Sequence, residues 1–195
     1  MSAQPVPQQP SLIRVSEARE VLAYVPHAMG FQPESSLVVI SLRPPRGRIG
    51  LVARVDLGDV TGVQGDAVAH GLVRHLVADG ASGVFLVAYV PGPLALARRS
   101  TLVRAAVDAV ERAATVPVRD AWVVAADGFA ALRCADVRCC PEAGHPLSEL
   151  ETTQISTAMV VAGSAPVARR CDLRAGAETD PALLTAFEAA ARAES

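Results

Sequence analysis

The sequence predicts an α/β domain: a five-stranded mixed sheet in the order 2-1-3-4-5, with antiparallel edge strands and helices on its faces. Three observations lead there. Residues 37–42, apolar but for Ser41, and residues 84–90 are runs rich in β-branched side chains and bounded by turn residues, as strands buried on both faces are. Residues 48–56 alternate instead, Ile49, Leu51, Ala53 and Val55 against Arg48, Val52, Arg54 and Asp56, which is the pattern of a half-exposed edge strand. Helical periodicity fills the stretches before and after residues 84–90, and helical crossovers favour parallel strands.

Taken in order, residues 1–11 are a Gln/Pro-rich stretch expected to be a disordered tail. Ser16 can cap a first helix, with Glu17 and Glu20 in its first turn and Val21, Leu22 and Val25 on its apolar side. That helix should stop before Pro26 or at Gly30. A mixed loop, residues 26–36, then enters strand one. The turn Arg43-Pro44-Pro45-Arg46-Gly47 leads into strand two, and residues 57–65 form a Gly/Asp loop. Val68, Leu72, Val73 and Leu76 define a helix over 66–78, closed by Gly80. Strand three ends at Pro91-Gly92-Pro93. A long helix over 94–113 follows, with Val103, Ala106, Val107 and Val110 as its buried stripe.

Strand four spans 121–126, Asp127-Gly128 is a hairpin signal, and strand five spans 129–134. A cysteine-rich loop runs to residue 146. Ser148 and Glu151 have capping-box spacing for a helix ending near Gly163, and Asp180-Pro181 opens a last one. The chain is thus expected to divide into a tail (1–11), one α/β domain (12–163) and a C-terminal extension (164–195). Strands one, three and four are expected to run parallel in the middle of the sheet. That places the loop before strand one and the cysteine loop on the same sheet edge.

Composition excludes several chemistries. The chain has 195 residues, a formal net charge of −2, 51% hydrophobic and 19% charged residues, so it is neither a disordered chain nor a polybasic nucleic-acid or membrane-surface binder. All 18 basic residues are Arg. Without Lys there is no Walker-type phosphate loop, no Schiff base and no Ser–Lys pair. No secretory leader pattern or membrane-length apolar run is present, so a cytoplasmic location is expected, with the four cysteines as thiols or ligands rather than a disulfide framework.

Three places can carry chemistry. In the first, His27, Phe31, Glu34, Ser35 and Ser36 gather polar groups around an aromatic, with His27 as a possible base; the bland alternative is a turn whose hydroxyls satisfy backbone groups while Phe31 plugs the core. The second is Gly92, ahead of a helix N-terminus that can hold an anion, beside Arg43, Arg46 and Asp127. Pro91 and Pro93 weaken it by removing two N–H donors. The third is Cys134, Cys139, Cys140 and His145, a soft-ligand set for zinc. Their spacing departs from the usual knuckle, and buried thiols in a tight turn are the competing reading, so no cofactor is expected beyond zinc as the lesser alternative. Asp56, Asp59 and Asp66 form a further acidic group that usually only solubilises a turn.

Three segments together resemble a family known as domain of unknown function 4192, common in actinobacteria: residues 21–39, the strand-two ending Ala53-Arg54-Val55-Asp56-Leu57, and Cys134 with Cys139-Cys140-Pro141. The resemblance covers about residues 12–163 and implies no reaction, cofactor or catalytic residue. It does imply a glycine-rich turn after strand three, and Val90-Pro91-Gly92-Pro93 is poorer in glycine than that. With no assembled nucleophile, base and oxyanion donors in the sequence, the expected function is a binding or interaction module for a small anionic ligand or a protein partner. The competing expectation is a hydrolase or transferase that joins loop 27–36 to the cysteine loop 134–145. Oligomeric state has no signal in the sequence.

Overall fold

A computed structural model describes residues 17–45 and 47–174. The first helix, α1, spans Ala18–Met29 and ends at Gly30, whose φ of 76° is the left-handed conformation that glycine adopts freely. Its buried side holds Val21, Leu22 and Val25, the apolar residues the spacing predicted, and Ala23 as well. Strands β1 (Ser36–Arg43) and β2 (Arg48–Asp56) form a hairpin. A short helix α2 (Leu57–Thr61) occupies part of the expected loop, and α3 (Gly65–Ala78) leads to β3 (Gly83–Tyr89). After β3 come α4 (Leu94–Ala97), α5 (Thr101–Ala113), β4 (Val118–Val124) and β5 (Phe129–Ala131). Two short helices, α6 (Ser148–Glu151) and α7 (Gln154–Val161), and a 3-10 turn (Arg170–Arg174) complete the described chain. The tail before residue 12, the Ser16 cap and the helix expected from Asp180 lie outside the described residues.

The sheet has five strands in the order β2-β1-β3-β4-β5. Period-two alternation sorts its side chains into two cores. Leu37, Val39, Val84, Leu86, Ala88, Ala121 and Val123 face α3 and α5, while Val38, Ile40, Phe85, Val87, Tyr89, Trp122 and Val124 pack with Val21, Leu22 and Val25 of α1. The result is a three-layer α/β/α arrangement.

One expectation about strand direction fails. β1 is antiparallel to β3, with Ser36 opposite Tyr89 and Leu42 opposite Gly83, and among the described residues only β3 and β4 form a parallel pair. The physical reason is connectivity. A helical crossover makes parallel the two strands it directly joins, and α2–α3 joins β2 to β3. β1 lies between those two strands, hairpin-paired to β2, so it opposes both. The edge strands β2 and β5 are each antiparallel to their neighbour, as expected.

Two expected helices are each split by a capping side chain. The Ser100 hydroxyl accepts the Val103 N–H at 3.3 Å and restarts the helix at Thr101. Thr153 likewise accepts from Ser156 N–H at 3.1 Å, and the Glu20 carboxylate reaches across from α1 to accept Ile155 N–H at 2.9 Å. Ser148 makes no capping box; the residue before α6 is Leu147, with no side-chain cap. On the other side of the sheet, the Asp79 carboxylate gathers the Ser41 hydroxyl, the Arg43 guanidinium and, at 2.8 Å, the Leu51 N–H, tying the end of α3 to the β1–β2 hairpin. Among the described residues no helix is long and apolar enough to cross a membrane.

Candidate functional site

The direction of β1 decides what meets what. Because β1 opposes β3, the loop entering β1 arrives where β3 and β4 end. In open α/β sheets that end is where ligands settle. A cleft of about 540 Å³ lies there, within the size range of small-molecule sites. Its walls come from Leu22, Ala23, Pro26 and His27 of α1, from Gln32, Pro33 and Glu34 of the loop, and from Leu147, Leu150, Glu151 and Ser156 around α6 and α7. The ends of β3 and β4 supply the rest, including Tyr89, Gly92, Ala125 and Ala126. Gly92 has φ 88°, and its carbonyl accepts Ala126 N–H at 3.0 Å, which holds the two strand ends together.

Tyr89 is the unusual group in this cleft. It is 3% exposed, and its hydroxyl is buried without a hydrogen-bond partner. Nearly all buried polar groups are paired, and one that is not costs about 1–3 kcal/mol. Burial also pushes its phenol far above the usual range, so it stays a neutral donor. The neighbouring aromatic with a polar atom behaves differently: Trp122 Nε1 donates to the Asp120 carboxylate at 2.7 Å. His27 Nδ1 lies 2.9 Å from the Ser164 hydroxyl, and burial lowers its pKa, which leaves the ring neutral near pH 7. The two carboxylates of the cleft, Glu34 and Glu151, are exposed.

The remaining loop residues divide between structure and a second groove. Ser36 is fully buried; its hydroxyl donates to the Glu34 carbonyl and accepts from Arg54 Nε at 2.7 Å, so it is spent on the fold. Phe31 is buried and pairs through its backbone with Val167, while Gln32 N–H donates to the Val167 carbonyl at 3.0 Å. The segment after Gly163 therefore straps the loop. Ser35 holds φ 45°, a conformation uncommon outside glycine. Phe31, Glu34 and Ser35 line a groove of about 290 Å³ with Arg54, Arg169, Arg170 and Cys171.

The anion idea after Gly92 meets an internal anion. The Asp127 carboxylate accepts the Leu94 N–H at 2.7 Å and already occupies the start of α4, a helix of four residues. The Arg43 turn lies at the other end of the sheet, because Leu42 pairs with the start of β3; Arg46 is outside the described residues. Asp56, Asp59 and Asp66 do not converge as a cation site, since among the described residues only Cys134, Cys139 and Cys140 bring three such donor atoms together.

The cysteine loop does not join the cleft, which corrects the expectation of a shared edge. β5 leaves the cleft end after Ala131, opposite Trp122, and the chain returns to that end only at His145, which bridges Phe129. No cysteine lines the cleft. Cys134 and Cys139 sulfurs lie 3.1 Å apart and Cys139 and Cys140 3.7 Å, with Cys140 buried and Cys139 exposed. Hydrogen bonds from the other two thiols lower the Cys134 pKa, while burial pushes Cys140 up to about 12. His145 turns a ring nitrogen to the Cys139 carbonyl at 3.0 Å and stacks on Phe129.

The family model described as domain of unknown function, DUF4192, matches residues 19–195. This chain belongs to the DUF4192 family. The match begins later than the resemblance read from the sequence and runs on to residue 195, through the strap that holds the loop. No curated protein and no solved structure matches the chain.

In this DUF4192 domain, His27, Glu34 and Gly92 thus share one cleft, Phe31, Glu34 and Ser35 a second groove, and Ser36 lines neither but hydrogen-bonds the Glu34 carbonyl and Arg54. Tyr89 and Glu151 escaped sequence reasoning. A single hydroxyl-bearing side chain closing an otherwise apolar strand, just ahead of Pro91-Gly92 at a carboxyl strand end, was the signal available for Tyr89. Glu151 carried none, because its place depends on the break between α6 and α7.

Proposed function

We propose that this DUF4192 domain is a binding module that holds a small polar molecule in the cleft at the ends of β3 and β4. The unpartnered Tyr89 hydroxyl carries the reading. A ligand that opens a path from the cleft to this buried oxygen and presents a carbonyl or hydroxyl oxygen to it removes the cost of an unmade hydrogen bond. The mostly apolar walls fit a recognition site with few polar anchors.

Charge refines the ligand class. The cleft's charged side chains are Glu34 and Glu151, and His27 is neutral. A neutral or cationic molecule suits that lining better than the small anion expected from the sequence. The arginines lie instead in the second groove, where Arg54 is already paired with Asp56 and Arg169 with Asp172. The enzymatic alternative has less support, because the cysteine loop stays outside the cleft and Ser36 is engaged in the fold.

Native mass spectrometry of freshly purified protein, followed by a thermal-shift screen of neutral and amine-bearing metabolites, tests the proposal. A compound is expected to raise the Tm of the wild type and to lose about five-fold or more in affinity on Tyr89→Phe, since one buried hydrogen bond is worth about 1 kcal/mol or more. Without ligand, Tyr89→Phe should leave stability unchanged or raise it by up to about 1 kcal/mol. A clear loss of stability would mean that the hydroxyl has a partner of its own, and the cleft reading would fail.

A further inference from the structure

We infer that Cys134, Cys139 and Cys140 form a thiolate site for one zinc ion, on the β5 side of the sheet and separate from the cleft. Two segments build it: Cys134, three residues past β5, and the turn that carries Cys139 and Cys140. The three sulfurs lie within 4.8 Å of one another. Zn–S bonds of about 2.3 Å in a tetrahedral shell put neighbouring sulfurs about 3.8 Å apart. The Cys139–Cys140 separation of 3.7 Å matches that spacing, and the Cys134–Cys139 separation of 3.1 Å opens to it with a small side-chain shift.

Adjacent cysteines seldom bind one ion together, and the backbone here supplies what the spacing lacks. The Asp136 carbonyl accepts the N–H of Cys139 at 3.2 Å and of Cys140 at 2.8 Å, a tight turn that aims both sulfurs at Cys134. Arg98 fixes the far side of the loop by donating to the Glu142 carbonyl at 2.8 Å. His145 holds the Cys139 carbonyl at 3.0 Å and so braces the turn, leaving the fourth position to solvent. A disulfide would use two of these sulfurs and leave the convergence of the third without a cause; one soft cation accounts for all three.

Between its ends the loop buries little apolar surface. Residues 135–139 are all exposed, with Val137 at 70%. A metal crosslink supplies folding free energy where an apolar core is missing.

The test uses the full chain, purified with a thiol reductant. Native mass spectrometry after addition of Zn²⁺ is expected to find one equivalent bound, and Co²⁺ in its place should give the charge-transfer absorption of thiolate ligation. Cys139→Ser, at an exposed position, should lose the equivalent while the protein stays folded by circular dichroism; Cys134→Ser is the second variant. Cys171→Ser should keep it. Folded, reduced wild type that binds no zinc and shows no cobalt–thiolate absorption would overturn the inference. So would zinc held equally well by Cys139→Ser and Cys134→Ser.

Discussion

The apolar cluster under α3 and α5 is packed from Leu, Val and Ala alone, whereas the cluster under α1 carries Phe85, Tyr89, Trp122 and Phe129 together with Cys140. The first is sealed by two helices of 14 and 13 residues. The second is covered by one long helix, two short ones and the cysteine loop. Small aliphatic side chains let long helices close down to crystal-like density. Bulky aromatics under a patchwork of short elements leave an uneven rim, and the cleft lies in that rim. Stability and recognition are divided between the two faces: the sealed side keeps its buried Ser41 hydroxyl paired with Asp79, while the unpartnered Tyr89 hydroxyl and the thiols of Cys134 and Cys140 belong to the patchwork side.

The strongest challenge to this division is a cavity on the sealed face. Leu86 is fully buried in β3, pointing at α3 and α5. Leu86→Ala should cost about 2–5 kcal/mol in urea denaturation, the range for a leucine lost from a packed core. Ligand and zinc affinity per folded molecule should hardly change. A much smaller loss would mean that the face is not sealed.

Strand order and the limits of β1 to β3 were legible because apolar runs and turn residues are local signals, whereas β4 begins three residues before its expected start and β5 ends three residues before its expected end. Residues 48–56 were placed to the residue, and Gly30 ended α1. The direction of β1 against β3 was not, because it depends on which strand the crossover leaves from, and that connection passes over β1. Of the candidate site, the loop at His27 and Glu34 was legible from its composition. Its partners were not: Glu20 caps a helix more than 130 residues away, and Val167 straps Phe31 through backbone contacts that no residue type announces.

A smaller loss is expected from Asp79, which ties the sealed face to the hairpin. Asp79→Ala strands the Leu51 N–H and the fully buried Ser41 hydroxyl, at a cost of about 1–3 kcal/mol by denaturant titration. The effect has a pH signature. The Arg43 guanidinium holds the Asp79 carboxyl well below the usual carboxylate range. A depressed pKa adds stability that is complete above the unfolded value, about 3.9, and is lost as pH falls through the folded one. Wild type should therefore lose more stability than Asp79→Ala below about pH 4, so that the two converge in acid.

The smallest effect lies on the patchwork face, at His27. Burial lowers its pKa in the folded state, so the unfolded chain binds the proton more tightly. Stability from the neutral ring is complete above the unfolded value, about 6.5, and declines as pH falls from there through the folded pKa. Glu34 and Glu151 are the carboxylates that line the same cleft, and the Ser164 hydroxyl is the ring's hydrogen-bond partner. Between pH 7 and pH 5 the Tm of wild type should fall more than that of His27→Gln, with ligand affinity declining in the same window as a cation forms on the cleft wall. A cationic ligand should show that decline more strongly than a neutral one, because it meets the new charge directly. Equal Tm slopes for the two proteins would place the ring in contact with water and remove His27 from the cleft's polar lining.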